Sequence, residues 1–219
     1  MLGADEAGKG PALGPMVAAA VSAPEEAIPD GVDDSKRLPA ERRERLDAAL
    51  RKHPDVSVGV ALVTPTRIDA PETDMNRLTA AGQAEALAQV ADAGEEAVVD
   101  AGDVSETRFA RRVREGVADA DPGVDIAVRG EHGADESYPV VAAASIVAKV
   151  ERDSRVAAID EEYADYGGVG SGYPSDPATR EFLREYVGAT GDLPDCARRS
   201  WATCADVLAA AEQSALEEF

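Results

Sequence analysis

Between Gly8 and Pro15 the chain reads Gly-Lys-Gly-Pro-Ala-Leu-Gly-Pro, and this stretch limits the fold more than any other. Glycine leaves the backbone unrestrained, while proline fixes φ and removes a donor, so no helix can run through it. The flanking runs, residues 2–6 and Met16–Ser22, therefore read as two short strands joined by a loop. Val56–Val63 alternates apolar and small residues and reads as a third strand. A polar connection, Pro24–Leu38, and a helix over Pro39–Arg51, rich in Arg and Glu at i,i+3 and i,i+4 spacings, lie between them.

Strand and helix then alternate. Residues 73–92 are Ala-rich and helical, with Thr73 or Asp74 as a cap. Glu96–Asp100 is a short strand, Glu106–Val117 a helix, and Val124–Val128 the last strand. A long helix runs from Ser137 to about Tyr163, and Val140–Val150 is apolar on nearly all sides, the mark of a buried helix. A glycine-rich loop, Gly167–Pro174, precedes a helix opened by Asp176 and Pro177, and Trp201–Leu216 closes the chain as a further helix. Three early strands followed by this alternation predict an α/β domain with a mixed sheet. Residues 1–165 form the expected α/β domain and 166–219 a C-terminal helical subdomain.

Acids stand at telling places in this pattern. Asp5 and Glu6 close the first strand, directly ahead of the glycine-flanked Lys9. Asp100 closes a later strand, and ligands of open α/β sheets bind at the carboxyl ends of strands. Asp135 lies just ahead of the buried helix. Such oxygen donors suit a hard divalent cation, and the loop glycines let backbone N–H groups come close to a phosphate. Neighbouring strand residues point to opposite faces, so Asp5 and Glu6 cannot both aim at one site. Asp5 is the expected bridging ligand, with Glu6 contributing through its carbonyl or a water.

Composition bears on whether such a site can meet a polyanion. Forty-three acids oppose 22 bases, a formal net charge of −21, and only four of the bases are lysines. The acids are spread along the chain rather than gathered in a tail, and aromatics are few. This is the balance of a cytoplasmic protein from an extreme halophile, where the Debye length falls to about 3 Å at 1 M salt and self-repulsion is tolerable. A chain that avoids nucleic acid or binds basic partners is the alternative. Two cysteines (Cys196, Cys204) and two histidines (His53, His132) are too few for a usual zinc site or a disulfide framework. No apolar run reaches membrane-spanning length, and no leader is visible at the N-terminus, so a soluble intracellular protein is expected.

Taken together, Gly3–Pro15, Asp34–Leu38, Val98–Asp103, Ala134–Asp153 (with Tyr138-Pro-Val-Val-Ala-Ala-Ala-Ser-Ile-Val-Ala-Lys149) and Gly170–Pro177 occur in the order found in type 2 ribonucleases H. The chain resembles ribonuclease HII, its archaeal branch most closely, over nearly its whole length, with Arg198-Arg199-Ser200-Trp201 matching the C-terminal part. The resemblance implies a ribonuclease H-like fold, a five-stranded mixed sheet flanked by helices, with a C-terminal helical subdomain. It implies cleavage of the RNA strand of RNA–DNA hybrids and cutting 5′ of ribonucleotides embedded in duplex DNA, leaving 5′-phosphate and 3′-hydroxyl ends. The family's four metal-binding acids map onto Asp5, Glu6, Asp100 and Asp135, with Mg²⁺ or Mn²⁺ as cofactor. Two such ions about 4 Å apart stabilise both the attacking and departing oxygens of a phosphodiester. Gly8, Lys9 and Gly10 correspond to the loop that reads the 2′-hydroxyl, although the family usually carries Arg where Lys9 stands. Tyr173 corresponds to the tyrosine that stacks on the sugar beside the ribonucleotide, and Lys36 to a phosphate contact. A monomer is expected.

Other residues are read more plainly. Arg198 and Arg199 either grip a duplex or pair with acids; Arg108–Arg114 form a solvated helix face. His132 either assists proton transfer or is a loop residue; Ser145 bonds a carbonyl one turn back. Lys149 is either structural or near substrate. A transposase-like nuclease of the same fold would cut all-DNA duplex equally well, and a non-catalytic binder would bind without turnover. Type 3 ribonucleases H carry an extra N-terminal domain, whereas this chain opens on its first strand. If salt adaptation is right, transfer from molar to millimolar KCl should unfold the protein, checked by circular dichroism; an unchanged spectrum would count against it.

Overall fold

Alternation along the first strand sets the layering. In β1 (Leu2–Ala7), Leu2, Ala4 and Glu6 face one side of the sheet, and Gly3, Asp5 and Ala7 the other. A computed structural model describes residues 1–32 and 38–217. β1 pairs antiparallel with β2 (Met16–Ser22), which pairs antiparallel with β3 (Ser57–Val63). On its other side β1 pairs in parallel with β4 (Glu96–Asp100), and β4 in parallel with β5 (Ala127–Glu131), giving the order β3-β2-β1-β4-β5.

Four helices of this part are α1 (Ala40–Lys52), α3 (Met75–Leu87), α4 (Glu106–Ala120) and α5 (Pro139–Glu162); a single turn, α2 (Pro65–Ile68), lies between the first two. On the Ala4 face, Ala80, Ala84 and Leu87 of α3 and Phe109, Val113 and Val117 of α4 pack with Leu2, Ala97 and Val99. On the Asp5 face, Val140, Val141, Ala143, Ala144, Val147 and Ala148 of α5 and Leu50 of α1 pack with Val17, Ala19 and Val21. The apolar half of α5 is buried as its sequence predicts. The layer is thin because small residues meet: a Cβ on Gly3 would stand 2.8 Å from Val140 and 2.9 Å from the backbone at Val141.

The elements fall where the sequence reading places them, with differing bounds. The last strand runs Ala127–Glu131, not 124–128. Parallel pairing begins where β4 begins, Glu96 opposite Ala127, and Ile126 is spent in the core below. As an edge strand, β5 carries Arg129 and Glu131 at no cost in core packing. The Ala-rich helix stops at Leu87 after an Asp74 cap, and the long helix is preceded by a 3₁₀ turn over Ala134–Glu136.

Packing divides the chain into two compact units. The first holds Met1–Ala7, Met16–Val63 and Asp74–Arg152; the second holds Gly8–Pro15, Thr64–Thr73 and Asp153–Phe219. The second unit includes α6 (Pro177–Thr190) and α7 (Ala202–Glu217). Its core gathers Leu13, Val169, Phe182, Leu183, Val187 and Cys204, and Tyr163 meets Phe182 and Tyr186 edge-on at 5.5 and 5.6 Å. Among the described residues no helix is long and apolar enough to cross a membrane. Gly3→Ala should destabilise the protein by about 1–3 kcal/mol, since backbone cannot yield as a side-chain tip does. The check is a lowered denaturant midpoint at unchanged slope.

Candidate active site

Asp5 is buried near the carboxyl end of β1, and Asp100 ends the parallel neighbour β4. Strand alternation puts Asp100 on the same face as Asp5, and its Oδ1 accepts from the Ala134 amide at 2.8 Å. That bond ties the 3₁₀ turn carrying the buried Asp135 to the end of β4. The Asp5 carboxyl is pushed up to about 7, first by burial and then by the charge of Asp100, with a smaller push from Asp135. Three of the predicted acids therefore act on one another electrostatically. Glu6 projects from the opposite face, as alternation requires, and its Oε2 accepts from Gln83 Nε2 at 2.7 Å.

Several supporting residues escaped the sequence reading. Gln83 is fully buried on α3 and also donates to the Asp100 carbonyl at 3.0 Å, so one side chain joins the ends of β1 and β4. Its Oε1 is buried without a hydrogen-bond partner among the described residues. A lone glutamine in an alanine-rich helix was the available signal. The Ser145 hydroxyl bonds Asp5, and together with the Glu6 amide (2.7 Å to Oδ1) opposes the upward push on that carboxyl. Lys149 Nζ donates to Ser145 Oγ at 2.8 Å. An ammonium only donates, so the serine proton is directed to Asp5.

The arginines of α4 are not simply a solvated face. Asp103, its side chain almost wholly buried, is clasped by Arg108 and by Arg112 (3.1 Å), whereas Arg114 does pair outward with Asp125 at 2.9 Å. The Arg108 guanidinium holds the Asp103 carboxyl down at about 2. His132 has both ring nitrogens engaged, Nε2 with the Asp103 carbonyl at 2.7 Å and Nδ1 with Glu106 at 3.0 Å. It thus braces the β4–α4 loop.

In the second unit, Gly8, Lys9 and Gly10 form one loop with a buried base. Arg198, fully buried, donates through Nη2 to the Gly8 carbonyl (2.6 Å), through Nη1 to that of Lys9 (3.0 Å) and through Nε to that of Gly14 (3.0 Å). It neither lies on the surface to grip a duplex nor serves as a surface ion-pair partner. Arg199 does pair with an acid, Asp192, at 2.9 Å. Tyr173 is exposed, with its ring edge 3.7 Å from where a Cβ on Gly10 would stand, so these two predicted substrate contacts are neighbours. Lys36 lies outside the described residues.

The donor set fits a hard divalent ion in kind: carboxylates alone, crowded so that like charge resists ionisation until a cation offsets it. Among the described residues no three such side chains already stand as a closed set of ligands. The carboxylates present an acidic cluster that an ion would have to draw in.

A five-stranded mixed sheet flanked by helices, shared with a solved ribonuclease H2, makes this a ribonuclease H-like fold. The family model for ribonuclease HII matches residues 2–204. The ribonuclease HII of Halobacterium salinarum is 58% identical over 218 residues, covering 99% of this chain and 98% of that protein. That of Haloarcula marismortui is also 58% identical, over 217 residues and 99% of each. The crystal structure of ribonuclease H2 from Pyrococcus horikoshii superposes with a TM-score of 0.83 at 37% identity, covering 97% of this chain and all of that one. The chain belongs to the ribonuclease HII family, and so is a nuclease of the hydrolase class.

Asp103 supplies a pH test. Its folded-state value lies below the ordinary 3.8, so its contribution is full above that value and is lost as pH falls toward about 2. Asp103→Asn should therefore be less stable than wild type at neutral pH, the gap closing as acid is added between pH 4 and 2. Parallel unfolding curves across that range would refute the clasp.

Proposed function

We propose that this chain is an endonuclease that hydrolyses the RNA strand of RNA–DNA hybrids and cuts 5′ of ribonucleotides embedded in duplex DNA. It leaves 5′-phosphate and 3′-hydroxyl ends, works in the cytoplasm and acts as a monomer. The observation that carries the reading is that Asp5 and Asp100 share one face of adjacent parallel strands, with Asp135, on the 3₁₀ turn tied to Asp100, close enough to act on Asp5. Family membership supports the substrate class. Two free, buried cysteines suit a reducing compartment.

Asp5, Glu6, Asp100 and Asp135 are the residues that would hold Mg²⁺ or Mn²⁺. Bound there, such ions activate a water and offset charge on the attacking and leaving oxygens. The chain's own residues do the positioning. The Glu6 amide and Ser145 orient the Asp5 carboxylate, and the Ala134 amide orients that of Asp100. Glu6, on the far face, is held by Gln83 at the strand end, where the chain turns into the Gly8–Gly10 loop. That loop meets the 2′-hydroxyl with backbone groups, which is why Lys9 serves where the family usually has Arg. Tyr173 stacks on the neighbouring deoxyribose.

The assay is a DNA duplex carrying one ribonucleotide, with product ends identified by mass spectrometry. Cleavage 5′ of the ribonucleotide should require Mg²⁺ or Mn²⁺, stop with chelator and resume when metal is restored. An all-DNA duplex should stay intact. Asp100→Asn should keep the fold and lose about a hundredfold or more in kcat. Uncut ribonucleotide duplex at every salt concentration, or near-native turnover by the variant, would remove the proposal.

A further inference from the structure

Inside the second unit, one cation organises a whole loop. Arg198 is fully buried and its guanidinium meets the carbonyls of Gly8, Lys9 and Gly14. Trp201 covers it, ring centroid 5.1 Å from Cζ, and donates its indole N–H to the Gly10 carbonyl at 3.2 Å. The Arg198 amide takes the Ala12 carbonyl at 2.8 Å, and the Gly14 amide bonds the Cys196 carbonyl at 2.8 Å. A single short segment, 196–201, thus receives the carbonyls of residues 8, 9, 10, 12 and 14.

The consequence follows from peptide geometry. The described residues contain no cis peptide bond, and in a trans peptide C=O and N–H point opposite ways. With the Gly8 and Lys9 carbonyls turned into the guanidinium, the amides of Lys9 and Gly10 are directed away from it. The next residue, Pro11, carries no amide hydrogen, so turning the Gly10 carbonyl to Trp201 misdirects no donor. Gly10 is exposed and Tyr173 stands beside it. Acceptors are thereby withdrawn from the loop's outer surface and donors are turned toward it. Such a surface favours an acceptor oxygen, of which a ribose has one more than a deoxyribose.

We infer that Arg198, with Trp201, is the positioning residue for ribose discrimination: it touches no substrate but holds the Gly8–Gly10 loop with its amides outward, where a 2′-hydroxyl oxygen is accepted. The inference rests on the proposed reading that this loop meets the ribose. Arginine suits the task because its planar fork serves three separate carbonyls at once, which the point charge of lysine does not.

The test measures KM for a DNA duplex with one ribonucleotide and Ki for the all-DNA duplex of the same sequence as competitor. In Arg198→Lys the KM should rise about tenfold, the worth of a charge-assisted hydrogen bond lost from the loop. Ki should stay within about twofold, because backbone phosphate contacts ignore the sugar. Trp201→Phe keeps the ring over the guanidinium and loses only the N–H to Gly10, so a rise of about threefold is expected. General destabilisation lowers the amount of active enzyme and hence apparent kcat, but moves neither constant. An unchanged KM in folded Arg198→Lys, or equal rises in KM and Ki, would overturn the inference; if that variant does not fold, Trp201→Phe decides by the same criterion. A wild-type enzyme whose KM equals its Ki would instead refute the reading of the loop itself.

Discussion

Asp5 and Asp100 share one face of the sheet and Asp135 stands close enough to act on Asp5, which makes the three carboxylates a charge problem. Burial disfavours ionisation of Asp5, and Asp100 and Asp135 add to that. The first unit answers with donors built into its backbone. Glu6 N–H reaches Asp5, Ala134 N–H reaches Asp100, and Ser145, its hydroxyl turned by Lys149, reaches Asp5 again. These bonds orient the acids and offset part of the repulsion on Asp5. The close approach of α5 to β1 at Gly3 and the turn at Ala134 exist in service of that arrangement.

The second unit solves a different problem with the opposite charge. Its loop of glycines and prolines has a single isolated bridge, Leu13 opposite Ala197, in place of a ladder, and unsatisfied buried carbonyls are costly. A buried guanidinium collects them. Asp176 and Thr179 do the complementary work on the glycine-rich stretch, accepting from the Ser171 amide at 2.7 Å and the Gly172 amide at 2.9 Å. The Gly172 carbonyl in turn receives the Ala12 amide at 2.7 Å, which joins the two glycine loops. Loop order here comes from side chains anchored in a core, not from hairpin geometry.

Much of this was legible in the sequence, for identifiable reasons. The Gly8–Pro15 run forced strands on both sides; alternation along β1 set Asp5 and Glu6 on opposite faces; and Asp100 stood at a strand end because the apolar run before it stops there. What stayed hidden depends on distant partners. Nothing in Arg198-Arg199 distinguishes the buried arginine from its surface neighbour, because the difference lies in carbonyls some 190 positions away. Arg108 and Arg112 read as a wet helix face since their common target, Asp103, sits in a loop before the helix. The bond from Ser145 to Asp5 was hidden because an apolar run gives no hint that a carboxylate lies across from it. The register of β5 was missed for a related cause: an edge strand takes its start from its neighbour, not from its own hydrophobicity.

These hidden contacts also bear on the scarcity of lysine. Eighteen of the chain's 22 bases are arginines, in a protein of net charge −21. At the surface, screening in concentrated salt weakens any point-charge pairing, so a lysine there contributes little. The arginines with definable work are those whose partners are carbonyls or a buried carboxylate: Arg198 under its loop, and Arg108 and Arg112 around Asp103. Those interactions rest on directional hydrogen bonds to buried acceptors, although Arg108 and Arg112 are themselves partly exposed. An acidic exterior is therefore compatible with arginines that brace loops by directional hydrogen bonds to buried acceptors.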